Sequence, residues 1–224
     1  MVEIIRQYIN RISKIFSTKE ATEHSYRGEF KNLCEGVLNG ASSKSIDYSE
    51  LKKNNAERYT LINEPKRKTY GAPDYELLKG DTAIAFIEAK NIGDSDLKGT
   101  NVRKHKEQFD RYKNAISTIA FTDYLSIFLY ENGEETLSAQ LGYVKDGIVV
   151  ITDDEQQFVN FEKIMQRLGK AEPQPIRSAS TLADKMARKA KLMSSILMNA
   201  MEKQQMEDDK DLVGKLKTFQ NYLV

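Results

Sequence analysis

The tightest constraint on this chain is the apolar run from Ala83 to Ile87, which ends in Glu88-Ala89-Lys90. A short run of consecutive apolar residues with no alternation reads as a strand covered on both faces. Alternate side chains of a strand share a face. Glu88 and Lys90 therefore point one way, and Ile87 and Ala89 point to the opposite, packed face. A carboxylate and an ammonium at the end of such a strand are costly to bury unless they are paired, hydrated or bound to a metal ion.

A second carboxylate is placed to meet the first. Asp74 follows Pro73 and opens the run Asp74–Leu78, and Lys79-Gly80-Asp81 then supplies a turn. Two short strands and this turn fill the interval from Asp74 to Glu88, so the hairpin brings the two carboxylates side by side. Adjacent carboxylates repel, and a hard divalent cation with oxygen ligands relieves the repulsion. Mg²⁺, for which Mn²⁺ can substitute, would also take the Ala89 carbonyl and several waters. An ion there would activate a water against a phosphodiester, with Lys90 orienting it or stabilising the pentacovalent state. Singly, Glu-x-Lys is commonly a solvated pair and Pro-Asp commonly a turn. Their conjunction at hairpin distance points to a metal site.

Around this hairpin the pattern predicts an α/β fold. An amphipathic helix over residues 1–16 is followed by a break at Ser17–Thr22 and a second helix through Phe30, Leu33, Val37 and Leu38, with Gly40 as its C-cap. Residues 40–55 read as a loop. Strands are predicted at Tyr59–Leu61, Asp74–Leu78, Ala83–Ala89, Thr118–Phe121, Tyr124–Tyr130, Leu137–Tyr143 and Gly147–Ile151. Helices are predicted at 102–115 and 155–168, and Asn132-Gly133 marks a hairpin. This order gives a mixed central β-sheet flanked by helices. Pro173 and Pro175 mark a linker over 171–177 between a first domain, 1–170, and a helical extension, 178–224. In the extension Thr181 and Asp184 resemble a capping box, and a Lys- and Met-rich helix runs to about 206. A final helix from about 210 reaches Val224 with no cap or polar tail, which predicts that the natural polypeptide continues.

Two further motifs lie either side of the hairpin. Gln108-Phe-Asp-Arg-Tyr112 puts Gln108 and Tyr112 on one face of the 102–115 helix, and Glu23-His-Ser-Tyr-Arg27 has the spacing of an i,i+4 pair. Together with Asp74, Glu88 and Lys90 these residues resemble the PD-(D/E)xK nuclease superfamily, in its RecB-like branch with a QxxxY motif. The wider pattern, including Gly-Ala-Pro-Asp-Tyr, Phe-Ile-Glu-Ala-Lys-Asn-Ile-Gly and Phe-Thr-Asp123-Tyr-Leu-Ser, is similar to the N-terminal nuclease domain of single-chain type IIG and type ISP restriction–modification enzymes. It covers about residues 18–132 well and the remainder loosely.

The resemblance implies a restriction-endonuclease-like core that cleaves double-stranded DNA with Mg²⁺. Asp74, Glu88 and Ala89 would hold the metal, and Lys90, Gln108, Tyr112 and Glu23 would form the catalytic group. Arg27, Tyr112 and Lys113 would contact DNA. It further implies a methyltransferase using S-adenosylmethionine, a translocase or connector and a target-recognition domain downstream in the same polypeptide. It leaves open whether two nuclease domains pair transiently on DNA. No Asn-Pro-Pro-Tyr methylation motif or phosphate-binding loop occurs in these 224 residues.

Charge and composition trim the alternatives. The net charge is +1, with 34 basic residues against 33 acidic, so a strong general attraction to nucleic acid is not expected of this segment. That balance leaves a second reading, a non-catalytic module on the same fold that docks onto other domains. The N-terminus lacks a signal peptide's apolar stretch, and no run is long enough to cross a bilayer. Cys34 is the single cysteine, which excludes an internal disulfide and fits a reducing cytoplasm. His24 and His105 read as surface or partner contacts. Met186, Met193, Met198, Met201 and Met206 read as an adaptable packing face, and Lys185, Arg188, Lys189 and Lys191 beside them as a solvated one.

Overall fold

The computed structural model describes residues 2–40, 58–67 and 71–173, with scattered helical positions between 183 and 198. The predicted 40–55 loop, apart from Gly40, lies outside the described residues. So do Tyr70, Thr181, Asp184, Lys185, Arg188, Lys189, Met201, Met206 and the helix expected from 210. Contacts divide the chain into two units, Met1–Gln174 and Pro175–Val224. In the second unit the described positions are helical, and Met186, Met193 and Met198 are exposed.

The first unit is an α/β fold around a mixed six-stranded sheet in the order β1 to β6: β1 Tyr59–Asn63, β2 Tyr75–Lys79, β3 Thr82–Ala89, β4 Thr118–Thr122, β5 Ser126–Glu131 and β6 Glu134–Gln140. All neighbours are antiparallel except β3 and β4, which run parallel. That parallel pair needs a crossover, supplied by helix α3, Lys106–Ala115. The other helices are α1 Val2–Ser17, α2 Arg27–Leu38 and α4 Glu155–Gly169, and a single 3-10 turn, Glu23–Tyr26, leads into α2. No described helix is long and apolar enough to cross a membrane.

Two apolar layers sandwich the central strands. Ile87 and Ala89 of β3 and Ala120 of β4 join Ile5, Ile9 and Ile12 of α1, Phe30 and Leu33 of α2, and Phe158, Phe161 and Leu168 of α4. Phe86, Ile119 and Phe121 face the other way, against Phe109, Tyr112 and Ile116. Phe109 stacks on Phe121 with ring centroids 3.8 Å apart. The alternation predicted for β3 is thus present, with Glu88 on the same side as Phe86. The Asn132-Gly133 hairpin joins β5 to β6 with φ of 53° and 88°, the two left-handed residues that a two-residue turn between twisted strands requires.

Three predicted elements are corrected. The run Leu137–Tyr143 is not one strand: β6 ends at Gln140, and Gly142–Lys145 (β7) pairs with Ile148–Ile151 (β8) as a separate two-stranded sheet. The chain turns at Leu141, whose N–H donates to the Leu125 carbonyl at 2.7 Å and whose carbonyl accepts from Thr152. Helix α3 starts at Lys106 rather than 102, because Asp96 captures the N–H groups of Thr100 and Asn101 at 2.7 and 3.0 Å and holds them in a turn. Strand β5 starts at Ser126 rather than Tyr124, which has a φ of 71°.

The turn before α3 closes tightly on the core. Gly99 has a φ of 63°, and a Cβ there would lie 2.6 Å from Phe109 Cβ and 2.7 Å from its Cγ. Gly99→Ala should therefore destabilise the chain by roughly 2 kcal/mol, combining left-handed strain with overpacking. Urea unfolding measures this. A change within ~0.5 kcal/mol would show that the loop moves freely away from Phe109.

Candidate active site

The β2–β3 register sets the site. Tyr75 pairs with Ile87, so Asp74, one residue before β2, comes opposite Glu88, one residue further along β3. Asp74 Oδ2 accepts the Ala89 N–H at 2.8 Å, which fixes its carboxylate at the strand end. Glu88 Oε1 accepts from Lys90 Nζ and from Gln108 Nε2, both at 2.6 Å. Its other oxygen, Oε2, is buried and has no hydrogen-bond partner among the described residues. The predicted hairpin therefore joins Asp74, Glu88 and Lys90, and α3 delivers Gln108 to the same carboxylate.

Arg27 closes the other side. Its side chain is 8% exposed and holds three carboxylates: Nη2 reaches Glu23 at 2.8 Å and Asp74 Oδ1 at 2.6 Å, and Nη1 reaches Glu64 at 2.6 Å. Burial works against the guanidinium charge, but the Glu23 hydrogen bond and the Asp74 charge outweigh it and raise its pKa. Glu64 is a member that sequence reasoning missed. It sits at a φ of 49° before Pro65, and its N–H donates to the Asp74 carbonyl at 2.8 Å. A surface-like Asn-Glu-Pro segment carries no signal of this contact.

The acid pair is held against its preferred charge. Glu88 is 3% exposed, and burial followed by the Asp74 charge pushes its pKa up to about 7 in spite of Lys90. Burial also raises Asp74, with Glu23 adding to the shift, while the Ala89 N–H and then Arg27 oppose it. The two groups titrate as a pair.

Two expected site residues have other surroundings. Tyr112 is 2% exposed, and Gly71 lies directly on its ring, where a Cβ would come 2.9 Å from Tyr112 Cε1. Lys113 sits over the Tyr130 ring at 4.2 Å and donates to the Lys98 carbonyl at 3.1 Å. Both are thus engaged in packing the α3 layer. His105 is half-buried, 3.0 Å from Asp94 and stacked on Phe109, whereas His24 lies on the exposed side of Glu64 at 3.6 Å. Asp123 organises the turn after β4: Oδ1 accepts from Leu125 and Ser126, and Oδ2 from Gly93 after β3.

The donor set suits a hard cation. Asp74 and Glu88 offer oxygens only, and Glu88 Oε2 is a buried acceptor with no donor among the described residues. Among the described residues no group of three or more His, Cys, Asp and Glu side chains is arranged to hold a metal. A site here would use two carboxylates, a backbone carbonyl and waters, which is a composition Mg²⁺ tolerates and Zn²⁺ seldom takes.

No family model matches the chain. No curated protein matches it either. Among solved structures, it is similar to a chain of a DrdV–DNA complex determined by cryo-electron microscopy, with 16% identity and a TM-score of 0.51 over 92% of this chain. This chain spans about 17% of that one. The likeness is one of fold, and it agrees with a restriction-endonuclease-like core.

The raised Glu88 pKa has a testable sign. A proton binds the folded state more tightly than the unfolded one, so the stability it contributes is present at low pH and lost as pH rises from the ordinary glutamate range through about 7. In EDTA, the wild-type chain should lose about 1–3 kcal/mol more than Glu88→Gln between pH 4.5 and 7.5. Urea unfolding at both pH values reads the difference. Equal losses would contradict an acid held neutral by burial.

Proposed function

We propose that the chain is a Mg²⁺-dependent DNA endonuclease domain of a restriction–modification enzyme. The observation that carries this reading is the meeting of Asp74, Glu88 and Lys90 at the ends of β2 and β3, with Glu88 Oε2 buried and without a hydrogen-bond partner among the described residues. The motif resemblance supports it. So does a fold similar to that of a chain in a DrdV–DNA complex.

Each side chain has a task in phosphodiester hydrolysis. Asp74, Glu88 and the Ala89 carbonyl would hold the ion. When bound, a cation there would supply the charge that polarises a water and offsets charge on the phosphoryl oxygens. Lys90 is tied to Glu88 Oε1 but keeps two further donors, enough to orient the attacking water and to meet charge developing on the phosphate. Gln108 fixes the Glu88 carboxylate from α3, and Arg27 fixes Asp74 from α2. Positioning of this kind is worth most where water is excluded, and Glu88 and Ala89 are both buried.

The substrate is double-stranded DNA. The motif resemblance implies that sequence recognition would lie in other parts of a longer polypeptide, with a methyltransferase using S-adenosylmethionine and a target-recognition domain, and the net charge of +1 on this chain is compatible with that. Affinity of the chain alone would then rest on a few phosphate contacts and be weak, with only a modest dependence on salt.

Nicking of supercoiled plasmid at low salt with Mg²⁺ tests the proposal. Asp74→Ala and Lys90→Ala should abolish nicking while circular dichroism shows a folded chain. Gln108→Ala should slow it by about 10- to 100-fold, the typical cost of losing a hydrogen bond that orients a metal ligand. Unchanged nicking in the Asp74 or Lys90 variant would contradict the assignment.

A further inference from the structure

Arg27 stands in an unusual place for a surface helix residue. Three carboxylates, Glu23, Glu64 and Asp74, close on its guanidinium at 2.8, 2.6 and 2.6 Å, and its side chain is 8% exposed. One nitrogen, Nη2, bridges Glu23 Oε1 and Asp74 Oδ1. Two carboxylate oxygens bridged by one cationic centre is the arrangement that a divalent ion otherwise adopts between acidic side chains.

The lone pairs of Asp74 limit what else can bind. Oδ2 is taken by the Ala89 N–H and Oδ1 by Arg27. Each carboxylate oxygen offers two acceptor positions, so Asp74 can serve one ion on the Glu88 side while still holding Arg27 on the Glu23 side. A second ion on the Glu23 side would need the place of Nη2. Charge agrees with this. Glu23, Glu64, Asp74 and Glu88 bring four negative charges when ionised, Arg27 and Lys90 bring two positive ones, and the two that remain match one divalent ion.

We infer that Arg27 is a built-in substitute for a second metal ion: its guanidinium fills the Glu23–Asp74 position and restricts the site to one divalent cation. The inference rests on the metal-binding reading above. It makes Glu23 a partner of Arg27 rather than a metal ligand, and it makes Arg27 a positioning residue that holds Asp74 with one face turned to the single ion.

Calorimetric titration of the chain with Mn²⁺, alongside electron paramagnetic resonance of bound Mn²⁺, tests this without reference to activity. The wild-type chain should take up one ion, lost in Asp74→Asn together with Glu88→Gln. Arg27→Met should take up two. Adding Glu23→Gln to Arg27→Met should return the count to one, as should Arg27→Lys, which keeps a single cation in place. Two ions in the wild-type chain, or one in a folded Arg27→Met, would overturn the inference and leave the nuclease reading standing. No ion dependent on Asp74 and Glu88 in the wild-type chain would overturn both. Should Arg27→Met not fold, Arg27→Gln, which removes the charge but keeps an amide donor, answers the same question: two ions bear the inference out and one overturns it.

Discussion

The structure is organised around the burial of acidic side chains at the open end of a strand covered on both faces. β3 lies between two apolar layers, and that packing leaves Glu88 3% exposed while the register of β2 lays Asp74 opposite it. An ionised carboxylate in such a place costs several kcal/mol unless other groups compensate. The surrounding elements supply that compensation: Lys90, just after β3, and Gln108 of α3 donate to Glu88, while the Ala89 N–H and Arg27, at the start of α2, donate to Asp74. The residual imbalance shows in the raised pKa of Glu88 and in the unpartnered Oε2. A fold optimised for stability alone would have placed a leucine there. The buried acid is the group that the proposed cation site would use.

Rigidity follows from the same arrangement. α3 is pinned beneath the sheet by the Phe109–Phe121 stack and by Gly99 against the Phe109 ring, so Gln108 approaches Glu88 from a fixed base. The turns after β3 and β4 are joined through Asp123, which accepts from Gly93 on one and from Leu125 and Ser126 on the other. Side chains held on strands and helices, with their loops tied by buried carboxylates, would meet the narrow tolerance that the proposed displacement at phosphorus demands.

Much of this was legible in the sequence because it is local. A five-residue apolar run before Glu88-Ala-Lys fixes the alternation of faces, and a turn at Lys79–Asp81 fixes which residue of the preceding strand can meet Glu88. The i,i+4 spacing of Gln108 and Tyr112 placed both on one helix, and Gln108 does reach Glu88. Tyr112 shows where local spacing stops informing: sharing a helix face with Gln108 did not leave it open to a ligand, because Gly71 closes over it. Glu64 was invisible, since its role depends on a left-handed backbone turn that brings a distant segment to Arg27. The Glu23–Arg27 pair was readable as a helical ion pair, but its extension to Asp74, 47 residues away from Arg27, is a tertiary fact. The division of Leu137–Tyr143 into two strands was hidden for a like reason, the capture of Leu141 by the Leu125 carbonyl.

The most direct test is crystallographic: an anomalous-difference map from crystals of the chain soaked in Mn²⁺. The account predicts one strong peak about 2.1 Å from carboxylate oxygens of both Asp74 and Glu88, within the range for small divalent ions bound by oxygen. It also predicts no peak between Glu23 and Asp74, where Arg27 remains. An empty Asp74–Glu88 pair in a crystal that holds Mn²⁺ elsewhere would contradict it.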